Sequence, residues 1–132
     1  MVRVVSRAND WLRQASKDLE HAKRSVELGD YEWACFAAHQ AAEKAIKALY
    51  QKLKVEVWGH SVSRMIELLP EEHRPPREMV EKAKRLDRHY IPTRYPNFHP
   101  EGAPADYYTS KDALEAVGYA EEIVGYCRGK VL

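Results

Sequence analysis

The sequence predicts an all-α protein, an up-and-down helical bundle of four long helices plus one short helix. Three observations predict it. Apolar residues recur at three- and four-residue steps through four long segments, the spacing of one helix face. No segment alternates apolar and polar residues with the period of two that a half-buried strand needs. The breaks between segments carry helix punctuation: Gly29-Asp30, Pro70, Pro76, Pro92 and Thr109-Ser110-Lys111-Asp112.

The first helix is expected over Asn9–Leu28, where Leu12, Ala15, Leu19, Ala22 and Val26 share a face. Asn9 or Asp10 is placed to cap it, and Gly29 supplies the left-handed turn that ends it. The second helix is expected over Tyr31–Leu53. Its Ala34, Cys35, Ala38, Ala41, Ala42, Ala45, Ile46, Ala48 and Leu49 fall in one arc at about 100° per residue. So many alanines let neighbouring backbones come close, which puts this helix at the centre. Phe36, His39, Glu43 and Tyr50 lie on its other side, so cover is expected from the bundle and from a second subunit. His39 and Glu43, one turn apart, form either a surface or interface hydrogen bond or a catalytic pair.

A short third helix is expected over His60–Leu69, with Val62, Met65, Ile66 and Leu69 inward and His60 or Ser61 as its cap. Pro76 suits the first position of a fourth helix, Pro76–Ile91. Met79, Val80, Ala83, Leu86 and Tyr90 form its inner stripe, and Arg77, Lys84 and Arg88 line the opposite face. Asp87 sits near the inner rim, where an unpaired carboxylate is costly, so it is expected to meet a cation or a helix N-terminus. Pro92 stops or kinks this helix. An irregular loop, Pro92–Asp106, leads to a fifth helix that starts at Thr109 or Ser110 behind a Thr109–Asp112 capping box. Ala113, Val117, Ala120, Val124 and Cys127 form its core stripe, Tyr119, Ile123 and Tyr126 a second flank, and Gly129 closes it.

Composition narrows the class. One domain over residues 1–132 is expected from the length. Charged residues at 31% and apolar residues at 45% describe a globular chain. No apolar run approaches the roughly 20 residues that span a bilayer, and Met1–Asp10 lacks a leader's apolar core. Cys35 and Cys127 fall at helical core positions, as small buried hydrophobes in a reducing cytoplasm rather than a disulfide pair. No spacing resembles a metal site, and no cofactor is expected. The net charge of +1 argues against a global pull on nucleic acid, but residues 74–94 carry 7 basic and 3 acidic side chains. That excess is either a solvated face or a phosphate-binding one made by Arg77, Lys84 and Arg88.

It leads into Leu86–Pro100, LDRHYIPTRYPNFHP, which crowds Arg88, Arg94, His89 and His99 among Tyr90, Tyr95 and Phe98 on a proline-stiffened connection. Loops held by a rigid scaffold are where binding and chemistry concentrate. Histidine titrates near neutrality, and arginine's planar fork suits phosphate oxygens. Arg94 therefore either holds phosphate or fixes the loop by pairing with Asp87 or a helix C-terminus. His99 either moves a proton or is merely exposed. His89, one turn after Arg85, makes a cation–imidazole pair or a surface residue.

Four segments in this order, GDY at Gly29–Tyr31, AAEKAIKAL at Ala41–Leu49, GHS at Gly59–Ser61 and YIPTRYP at Tyr90–Pro96, resemble the HEPN domain family. The similarity runs from about Asp10 to Arg128. It implies a bundle that dimerises, frequent pairing with a minimal nucleotidyltransferase antitoxin, and, in many members, metal-independent RNA cleavage through an R-x(4–6)-H motif. Arg94 to His99 fits that spacing and implies the two catalytic residues. Arg77, Lys84, Arg88 and Tyr95 are then expected to hold RNA, with Asp87 and His89 in support. Two positions depart from the pattern: Tyr95 stands where a polar residue usually follows the arginine, and Glu101 stands where some toxins carry a tyrosine that the partner modifies, with Tyr107 and Tyr108 farther on. The alternative implied is a catalytically silent module that docks the nucleotidyltransferase or holds a nucleotide.

Overall fold

The computed structural model describes residues 6–132; residues 1–5, part of the segment read as lacking a leader's apolar core, lie outside the described residues. Among the described residues, five α-helices make the bundle: α1 Ala8–Leu28, α2 Tyr31–Leu53, α3 Val62–Glu67, α4 Arg77–Asp87 and α5 Ser110–Val131. No strand occurs among the described residues. Helix α2 is central. It packs against α1 and α5 along its length and against α3 and α4 on the remaining side. Its alanine arc makes this possible: Ala34, Ala38, Ala41, Ala42, Ala45 and Ala48 are wholly buried. Cys35 and Cys127 are free and buried, and burial pushes both thiols up to about 12. No helix among the described residues is long and apolar enough to cross a membrane.

Several boundaries differ from expectation for local reasons. Helix α1 starts at Ala8, and neither Asn9 nor Asp10 caps it, because both lie inside the first turn. Ser61, not His60, caps α3, its hydroxyl accepting from the Arg64 amide at 3.2 Å. Pro76 occupies the N-cap of α4 rather than its first helical position. Gly129 lies inside α5. The Thr109–Asp112 capping box forms as read. Helix α4 ends at Asp87, four residues short of Ile91, because Arg88, His89 and Tyr90 donate three residues back rather than four and tighten the chain before Pro92.

The second face of α2 is covered within the chain. His39, Glu43 and Tyr50 are buried under α3 and the segments flanking it. Tyr50 donates from its hydroxyl to the Met65 carbonyl at 2.6 Å. Ile123 is buried, Phe36 is half-buried beneath Arg94, and Tyr126 donates to the His73 carbonyl. The surplus of rings expected to need a second subunit is thus smaller than the sequence suggests. Tyr50→Phe should cost about 1 kcal/mol in chemical denaturation, since it leaves the buried Met65 carbonyl without its donor.

Candidate functional site

The turn that follows α4 exposes carbonyls that no helix can satisfy, and three side chains take them. Thr93, buried, donates from Oγ1 to the His89 carbonyl at 2.7 Å. Arg94 donates from Nε to the Tyr90 carbonyl at 2.9 Å. His99 donates from Nε2 to the Pro92 carbonyl at 2.7 Å. Satisfied carbonyls hold the turn in one shape. The same bonds decide which atoms stay free. Arg94 spends Nε and keeps both terminal nitrogens. His99 spends Nε2, which fixes its hydrogen there and leaves the Nδ1 lone pair open.

Rings complete the setting of Arg94. Its guanidinium carbon lies 4.3 Å from the centre of Phe36 on α2, 4.9 Å from Tyr90 and 5.3 Å from Tyr95. A cation is favoured over a ring face, so the guanidinium is held without a carboxylate to neutralise it. Trp33 packs edge-on against Phe36 and, like Tyr95 and Phe98, is about half exposed. His99 stacks on Tyr107 at 4.3 Å between ring centres, and Tyr107 donates from its hydroxyl to the Glu101 carbonyl. The bend between them needs Gly102, whose φ is +76° and whose missing Cβ would stand 2.9 Å from an Asp106 carboxylate oxygen.

Beneath this turn lies a polar network. Asp87 accepts from the Val62 amide at 2.8 Å, the Ser63 amide at 3.1 Å and the Ser63 hydroxyl at 2.7 Å, and so closes the start of α3 from another helix. Buried His39 also meets it, donating from Nε2 to Asp87 at 3.1 Å and to the His60 carbonyl at 3.0 Å. Burial alone would raise the Asp87 carboxyl, but these hydrogen bonds outweigh it and hold the group below its ordinary value. Glu43 is buried too. It accepts from His60 Nδ1 at 2.9 Å and from Lys47 at 3.2 Å. His39 and Glu43 therefore do not bond each other; both meet His60, His39 at its carbonyl and Glu43 at its ring.

Arg94 and His99 share one turn, yet no hydrogen bond or ring contact joins them among the described residues. Asp87 takes the helix N-terminus that the sequence allowed, and Arg94 is not its partner. Arg77, Lys84 and Arg88 are exposed and form no ion pair with a described residue. Tyr95 is an exposed ring against Arg94. His89 is neither an Arg85 partner nor a surface residue: Arg85 reaches Glu115 at 3.4 Å, while His89 lies edge-on to Tyr108 with Nδ1 buried and unpartnered among the described residues. Burial lowers its pKa below the ordinary value. The sequence did not reveal the His60–Glu43 pair, which joins positions 17 residues apart. A broad open depression of about 670 Å³ is lined by α1 residues with Arg7 and Lys44, and none of them belongs to this turn.

A five-helix bundle with an arginine and a histidine, four residues between them, in the turn after its fourth helix defines a class. The chain belongs to the HEPN domain family: the model described as HEPN domain matches residues 8–130. It is 48% identical to TT1696 from Thermus thermophilus, whose crystal structure superposes with a TM-score of 0.93 over 96% of this chain and 99% of that one. It is 41% identical to ST0689, an archaeal HEPN homologue, with a TM-score of 0.82 over 97% of this chain and all of the other. A more distant relative, 27% identical over 86% of this chain and 81% of its own length, is the Methanocaldococcus jannaschii protein named "Putative toxin MJ1304".

Proposed function

We propose that this HEPN protein is a toxin-type endoribonuclease that cuts RNA without a metal, through Arg94 and His99, at a cleft between two copies. One observation carries the reading: the turn uses Arg94 Nε and His99 Nε2 for its own carbonyls and leaves the phosphate-binding fork and a basic nitrogen free. RNA supplies the nucleophile. Nδ1 of His99 takes the 2′-hydroxyl proton, the 2′-oxygen bonds to phosphorus as the bond from phosphorus to the 5′-oxygen breaks and that oxygen leaves, and Arg94 holds the charge that gathers on the phosphoryl oxygens. The toxin name of the archaeal relative agrees with this class.

The experiment is turnover of single-stranded RNA in EDTA by the wild type and by His99→Ala. Cleavage by the first and its near-complete loss in the second support the site; equal cleavage by both overturns it. Two further outcomes follow. Light scattering at micromolar concentration should report a dimer, since a cleft between copies needs one. Replacing Arg77, Lys84 and Arg88 together by alanine should flatten the logarithmic salt dependence of RNA binding by about 2, if each meets one phosphate of a single strand.

A second reading is a silent module that docks a minimal nucleotidyltransferase or holds a nucleotide. The Tyr95 ring favours it, because it covers part of the Arg94 guanidinium where a polar group would otherwise stand. Wild-type inactivity toward every RNA, with binding retained, would select it.

A further inference from the structure

RNA cleavage needs two proton transfers, and His99 accounts for one. The 5′-oxygen leaves as an alcohol only if something protonates it. The Glu43–His60 pair stands beside the same Tyr90 ring that holds Arg94. The His60 imidazole stacks on Tyr90 at 4.5 Å with an interplanar angle of 20°, and the Arg94 guanidinium lies 4.9 Å from that ring's centre. We infer that His60 is a second proton-transfer residue of the Arg94 centre, oriented by Glu43 to protonate the leaving 5′-oxygen of RNA.

This rests on the ribonuclease reading above, and four features carry it. His60 follows Gly59, whose φ of +101° turns the chain so that the imidazole folds back over Tyr90. Its backbone carbonyl is pinned by buried His39 at 3.0 Å. Its Nδ1 donates to Glu43 at 2.9 Å, and the Glu43 side chain is only 6% exposed and held by Lys47 as well. The imidazole itself is 54% exposed, and its Nε2 has no partner among the described residues. A side chain that only filled space would not be tied at its backbone, its ring face and one nitrogen while the other nitrogen stays unpartnered on a half-exposed ring. A carboxylate on one imidazole nitrogen sets the tautomer and aims the other, the arrangement by which orienting groups serve proton-transfer histidines.

Bonds and protons balance in this step. The bond from the 2′-oxygen to phosphorus forms and the bond from phosphorus to the 5′-oxygen breaks. The 2′-hydroxyl proton goes to His99 Nδ1. The 5′-oxygen takes a proton from Nε2 of the His60 imidazolium, which is left neutral and regains its proton from water.

The test uses two RNA substrates, one normal and one with sulfur in place of the bridging 5′-oxygen at the cut. A thiolate leaves without being protonated, so the sulfur substrate needs no acid. His60→Ala should slow cleavage of the normal RNA by about 100-fold and of the sulfur RNA by less than about threefold, within the range of general acid catalysis. His60→Asn, whose amide can still donate to Glu43, should behave the same way while keeping the wild-type melting temperature. His99→Ala should be slow on both. Equal loss on both substrates in His60→Asn, or no loss on either, overturns the assignment and leaves the ribonuclease reading intact. A wild type inactive on the sulfur RNA as well overturns both.

Discussion

Asp87→Ala should destabilise the protein by about 3 kcal/mol, the range for breaking a buried charge network rather than a surface pair. The change removes five hydrogen bonds at once, from His39, the Ser61 hydroxyl, the Val62 amide, and the Ser63 amide and hydroxyl. It leaves the Val62 and Ser63 amides without their acceptor and strips buried His39 of its carboxylate. For a domain of this size the melting temperature should fall by roughly 10 °C. The pH dependence has a definite sign. Asp87 is held below its ordinary value of 3.8, so the folded state binds its proton less readily than the unfolded chain does. Its contribution is complete above that ordinary value and is lost as pH falls through the lower folded one. Wild type and Asp87→Ala should therefore differ most at neutral pH and converge in strong acid. Loss of Arg94 should not reproduce this, because Arg94 makes no hydrogen bond or ion pair with Asp87 or α3 among the described residues.

The second large effect is kinetic. His99→Ala should lower kcat by roughly 10²–10⁴-fold while RNA binding changes little, because in the proposed mechanism the imidazole acts on a proton that moves only in the transition state. Arg94→Ala should harm both, lowering kcat by about 10²–10³-fold, in the range of one lost oxyanion donor. Arg94→Lys should not rescue it. A lysine carries the charge but can neither reach the Tyr90 carbonyl through Nε nor lie flat over Phe36, Tyr90 and Tyr95.

How far these features could be read in the sequence depends on whether their causes are local. Helix α2 has the bounds its alanine arc and Gly29-Asp30 announce, and the α5 capping box is four consecutive residues. The end of α4 was not legible. Pro92 marks where a helix must stop, but the chain tightens from Asp87 onward, before the proline, and spends its carbonyls on Thr93, Arg94 and His99. The second face of α2 was legible as a covered face, though not for its cover. Period alone shows that Tyr50 and His39 turn away from the main arc. It does not say that Met65, His60 and Asp87 come from α3 and its neighbours to meet them. The arginine and histidine of the turn were visible as residue types at a spacing. The rings that hold the guanidinium, and the nitrogen that His99 spends on Pro92, depend on contacts between elements.

The chemistry of the cut ends tests the central claim most directly. RNA cleaved in EDTA should carry 2′,3′-cyclic phosphate and 5′-hydroxyl ends, and RNA methylated at the 2′-oxygen should stay whole, because the proposed nucleophile is the substrate's own hydroxyl. Ends bearing 3′-hydroxyl and 5′-phosphate, or cleavage of the methylated RNA, would mean that water is the nucleophile and would contradict the roles given to Arg94 and His99.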